Sequence, residues 1–77
     1  MTNQQKQWIE CRVSPGMFSD ERAVEVGGRS FFVDEKSVRN AQEDGRAEIE
    51  VLIVLREDGE KWAVLPTRFR EAVPLGA

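Results

Sequence analysis

The stretch "AEIEVLIVLREDGEKWAVLPT", residues 47–67, constrains the fold more than any other part of the chain. Ile49, Val51, Ile53 and Leu55 alternate with Glu48, Glu50, Leu52 and Val54. A period of two over that length is a strand, not a helix. Its first half is polar on one face. Its second half is apolar on both, which predicts a long, bent strand whose later half is covered from both sides. Asp58-Gly59 then turns the chain into a hairpin. A two-residue Asp-Gly loop would set Glu57 against Glu60, a repulsive pair. A three-residue loop, Glu57-Asp58-Gly59, sets Arg56 against Glu60, Val54 against Trp62 and Leu52 against Val64, and is preferred. Pro66 ends the second strand or places it at an edge.

The same period recurs upstream. In "WIECRV", Ile9, Cys11 and Val13 share one face, with Trp8, Glu10 and Arg12 on the other. In "RAVEVGGRSFFV" two alternating runs flank Gly27-Gly28, a pair that can take the positive φ angles of a tight hairpin. That turn sets Val26 opposite Arg29 and Val24 opposite Phe31. Val24, Val26, Phe31 and Val33 then face one way, and Phe32 faces the other. "DEKSVRNAQEDG", Asp34 to Gly45, fits a short helix capped by Asp34 or an irregular polar loop, and both readings stay open. Near the C-terminus, Thr67 can cap one helical turn ahead of a short strand at Ala72-Val73.

These elements predict a mainly β fold: a small, partly open barrel of five or six strands in one domain, residues 8–77. The long loop after the first strand makes the architecture SH3-like. The alternative is OB-like, with one short helix between strands 3 and 4. Residues 1–7 carry no apolar anchor and are expected to be a disordered polar tail.

Composition narrows the function. The chain has 77 residues, a net charge of −3 and no histidine. The commonest acid–base side chain is therefore missing, and Cys11, the lone cysteine, has no histidine to activate it. Cys11 reads as a buried hydrophobe between Ile9 and Val13. No catalytic residue, metal ligand or cofactor is assigned. Both Glu-Asp-Gly stretches lack the ligand spacing of a calcium loop and read as turns. There is no signal-peptide pattern and no membrane-length apolar run, so a soluble cytoplasmic protein is expected.

Two binding functions remain, with a small enzyme or enzyme subunit as a distant third. The first is a non-catalytic module that binds a protein whose identity the residues do not specify, or a second copy of itself as a weak homodimer. Its candidate contacts are Met17 in the loop "SPGMFSDE", with Trp8 and Phe32 on the face opposite the core. In that loop Phe18 is expected to plug the barrel while Met17 projects. The second, disfavoured by the acidic balance, is a nucleic-acid-associated barrel using Arg12, Arg68, Arg70 and Trp62.

Overall fold

The computed structural model describes residues 4–75. They form a curled half-barrel sheet of seven strands: β1 (Gln4–Pro15), β2 (Glu21–Val26), β3 (Arg29–Asp34), β4 (Val38–Arg39), β5 (Arg46–Leu55), β6 (Lys61–Val64) and β7 (Ala72–Pro74). Six of them run in the order β3-β2-β1-β5-β6-β7, and β4 pairs with β5 off that path. All pairings are antiparallel. Strand β1 sets the long dimension. At roughly 3.3 Å per residue its length is about 40 Å, and the molecule measures 38 × 23 × 18 Å.

Both hairpins take the registers that their turn residues dictate. Val26 faces Arg29 and Val24 faces Phe31, across Gly27 and Gly28 with φ of 60° and 78°. Leu52 faces Val64 and Val54 faces Trp62. Arg56 N–H donates to the Glu60 carbonyl at 2.8 Å, closing the three-residue loop, and Gly59 supplies the φ of 85°.

The core lies on one face of the curled sheet. Cys11, Val24, Val26, Phe31, Val33, Ala47, Ile49, Val51, Ala63, Leu65 and Val73 are buried there, with Ile9, Val13, Val38 and Ile53 packed against them. The β2–β3 hairpin curls across to β7. Its turn brings Gly27 close to Val73, and Arg29 Nη1 lies 3.5 Å from the Ala72 carbonyl.

Three expectations are corrected, at the start of β1, along β5 and at Thr67, and one open choice is decided. Six strands make the main path, as expected, and Val38-Arg39 adds a short rung to β5 off that path, opposite Ile49 and Glu48. The 34–45 segment, open between a helix and a polar loop, takes the irregular form. Asp34 does cap, accepting from Lys36 N–H at 2.9 Å, but the turn is 3-10 and covers only Glu35–Ser37. Val38 is then drawn into the sheet, and Asn40 breaks the backbone with a φ of 55°. Strand β1 begins at Gln4, so residues 4–7 of the expected tail are paired with Val51 to Val54; residues 1–3 lie outside the described residues. Finally, the second half of β5 is not fully covered on either face: Leu52, Ile53 and Val54 are half-buried and Leu55 is exposed. The Thr67 turn is likewise not a helix: Glu71 N–H donates to Thr67 Oγ1 at 3.0 Å and Arg70 N–H to the Thr67 carbonyl at 3.0 Å.

Candidate functional site

Pro15 closes β1, and the chain must reverse within five residues to start β2. Gly16 makes this possible by close approach. A Cβ there would lie 2.8 Å from the carbonyl carbon and oxygen of Glu21, a clash with backbone. The reversed loop is fastened from within. Gly16 N–H donates to the Glu21 carbonyl at 3.1 Å, and Glu21 N–H returns to the Phe18 carbonyl at 3.1 Å. The Glu21 carboxylate accepts Met17 N–H at 2.9 Å. Arg22 Nη1 donates to the Ser19 and Glu21 carbonyls, both at 2.9 Å. The same guanidinium reaches Glu35 at 3.2 Å, and Glu35 N–H donates to the Asp20 carbonyl at 2.9 Å.

The loop's polar groups therefore turn inward, and its apolar side chains turn out. Met17 is 77% exposed and Phe18 is 68% exposed. The expectation that Phe18 plugs the barrel is overturned. Val24, Phe31 and Val33 already fill the core beside the loop, and the hydrogen bonds hold residues 17 and 18 away from it. A shallow groove of about 490 Å³ runs beneath them, lined by Val13, Pro15, Met17, Phe18, Arg22 and Ala41.

Phe32 is 53% exposed, on the outer face opposite Ala23. Ala23 in turn faces Ser14, which borders the groove. Trp8 belongs elsewhere. It sits on β1 opposite Glu50, half-buried, with the Arg39 guanidinium 4.1 Å from its ring centroid. Arg39 also bonds Glu48 at 3.0 Å. The three candidate protein contacts thus fall at two places: Met17 at the groove with Phe32 beyond Ala23, and Trp8 on the middle of β1.

The candidate nucleic-acid residues do not form one surface. Arg12 lies on β1 between Glu25 and Arg46 and donates to the Asp44 carbonyl at 3.0 Å. Trp62 lies on β6 with its indole N–H on Glu60 at 3.0 Å. Arg56 stands 5.5 Å from its ring centroid. Arg68 and Arg70 flank Phe69 in the β6–β7 connection, and Phe69 is 80% exposed. Two exposed aromatics, Phe18 and Phe69, were missed as contacts. Their shared signal is an aromatic enclosed by turn-forming or charged neighbours, with no second apolar residue at strand spacing.

Three titratable groups depart from their ordinary values. Burial pushes the Cys11 thiol up to about 11, assisted by the charges of Glu10 and Glu48. Asn40 and Arg39 hydrogen bonds hold Glu48 below its ordinary value. The Arg46 N–H does the same for Asp44. Among the described residues, no three His, Cys, Asp or Glu side chains gather as a metal site, and no helix is long and apolar enough to cross a membrane. Compared with family models, curated proteins and solved structures, the chain matches none.

Proposed function

We propose that this protein is a non-catalytic protein-interaction module of the cytoplasm. One observation carries the reading: a loop fastened by its own hydrogen bonds presents Met17 and Phe18 to solvent over an apolar groove. Large apolar side chains in water cost free energy unless a partner covers them. A preformed loop loses little conformational entropy when that partner binds. Met17 adds an adaptable contact, and Phe32 extends the surface along the outer face.

For the finer architecture we keep SH3-like first and OB-like second. The β1–β2 loop, with its function-bearing side chains, supports the first. The insertion between β3 and β5 supports the second, although it holds a 3-10 turn and β4 in place of a helix.

The test is affinity capture from host lysate with the parent protein and with a Met17→Ala/Phe18→Ala double variant. Parent-specific proteins should be lost from the double variant. Capture of the same proteins by both would overturn the loop reading. The nucleic-acid alternative draws on Arg68 and Arg70 beside exposed Phe69, which have no ion-pair partner among the described residues. It requires oligonucleotide binding that weakens steeply as salt rises.

A further inference from the structure

Strand β1 has an open edge. It pairs with β5 from Gln4 to Arg12, but with β2 only from Arg12 to Pro15. Beyond Arg12 the β2–β3 hairpin leaves β1 and curls toward β7. Val13 N–H donates to the Gly45 carbonyl, on the β5 side, at 2.8 Å. Backbone groups alternate sides along a strand. The odd-numbered residues of β1 therefore bond toward β5, and the even-numbered ones toward the other edge. At Arg12 that edge belongs to β2. At Lys6, Trp8 and Glu10 it has no partner among the described residues.

Unpaired edges are templates for another strand. We propose that this edge pairs antiparallel with the same edge of a second copy, centred on Trp8. The proposal rests on the interaction-module reading and names a second copy as the partner of Trp8. The charges select the register. The open stretch runs from Gln4 to Cys11, before β2 takes Arg12, and Trp8 lies near its middle. Around Trp8 the charges are self-complementary. Lys6 falls opposite Glu10 of the second copy, and Glu10 opposite its Lys6, on either side of the two Trp8 rings. Each of these pairs exchanges both backbone hydrogen bonds. A centre at Gln7 would set Lys6 against Trp8 and Glu10 against Gln4, and both ion pairs would be lost.

The isolated chain leaves these charges unmatched. Neither Lys6 nor Glu10 makes an ion pair or side-chain hydrogen bond among the described residues. Glu10 also faces a like charge, Glu48, across the β1–β5 ladder. A lysine from the second copy supplies the cation this position lacks. Ile9, on the core face yet only half-buried, gains cover from Gln7 of the second copy. Lys6 and Glu10 are exposed, so reversing either charge leaves the fold intact.

The experiment is sedimentation equilibrium of the full chain, with Lys6→Glu, Glu10→Lys and the double charge reversal. A small interface of this kind predicts a parent dimer half-formed at about 100 µM. Each single reversal sets like charges against each other and should weaken the dimer by about tenfold or more at low salt. The double reversal restores opposite pairs and should recover the parent affinity to within about threefold. Circular dichroism melts confirm that the variants fold. A parent protein that stays monomeric to about 1 mM, tenfold above that midpoint, overturns the proposal. So does a dimer indifferent to the single reversals, or one that the double reversal does not restore. Met17→Ala/Phe18→Ala should dimerise like the parent. If it alone loses the dimer, the second copy sits on the loop: the edge proposal fails and the loop reading stands. If it loses only lysate partners, the two sites are separate.

Discussion

The same substitution, Phe to Ala, should have opposite outcomes at two positions of this chain. Phe31 is 5% exposed and faces Val24 across the β2–β3 hairpin, inside the core. Phe18 is 68% exposed at the tip of the β1–β2 loop. A fully buried Phe contributes roughly 1.5–3 kcal/mol of transfer free energy, and Phe18 keeps only about a third of its surface from water. Scaling by that third leaves about 0.5–1 kcal/mol at risk in Phe18→Ala. Phe31→Ala loses the full transfer term and leaves a cavity, about 3–5 kcal/mol together. A core of this size yields on the order of 3–5 kcal/mol of net stability. Phe31→Ala should therefore abolish the cooperative transition at 25 °C. Phe18→Ala should melt no more than about 4–8 °C below the parent, since 1 kcal/mol is worth that much in a domain of this length. Urea and thermal melts followed by circular dichroism make the comparison. If Phe18→Ala is as damaging as Phe31→Ala, the loop packs on the barrel and the exposed-contact reasoning is wrong.

Gly16→Ala forces a Cβ to within 2.8 Å of the Glu21 backbone; it should cost about 1–3 kcal/mol, and a melt unchanged from the parent would refute the close approach. Cys11, buried and with its thiol pushed up to about 11, should label slowly with a thiol reagent at pH 7.5 in the native protein and rapidly in urea. Because its folded value lies above the ordinary 9.0, its contribution to stability is complete below pH 9 and declines as pH rises toward 11, which alkaline melts of the parent against Cys11→Ala will show. Asp44 and Glu48 have lowered values, so their contribution is complete above the ordinary carboxylate range and is lost as pH falls through it; acid melts of Glu48→Gln should be flatter than those of the parent.

The core face was legible because period-two alternation is local. Ile9 and Cys11, Val24 and Val26, Phe31 and Val33, and Ile49, Val51 and Ile53 all take the side that their spacing assigns. Both hairpin registers were legible too, since Gly-Gly permits one turn geometry and the Glu57–Glu60 repulsion selects one loop length. What escaped depends on distant partners. Gln4 to Gln7 hold no apolar pattern of their own, and they are strand because β5 offers them a ladder. Val38 and Ala41 are spaced as on a helix, yet β5 has a free rung opposite Ile49, and one rung outcompetes a helix with so narrow an apolar stripe. Of the site, Met17 and Phe32 were legible as exposed. Phe18 was not, because a large aromatic beside a barrel is usually core, and only the loop's internal hydrogen bonds turn it outward.

Charge placement sets most of the arginines of this chain beside acids. Eight arginines are present, but most stand beside an acid that the fold brings to them. Arg22 meets Glu35, Arg39 meets Glu48, Arg46 meets Asp44 and Arg56 meets Glu60. Arg12 has Glu25 directly opposite on β2, so a phosphate held there would lie about 5 Å, one strand spacing, from a carboxylate. Along β1 and β5 the outer face carries Glu10, Glu48 and Glu50, and only Glu48 is matched. The β1 edge is different, because there the anion Glu10 stands four residues from the cation Lys6 on the same face. That spacing repels neither sign, and it complements its own copy when one strand is turned end for end.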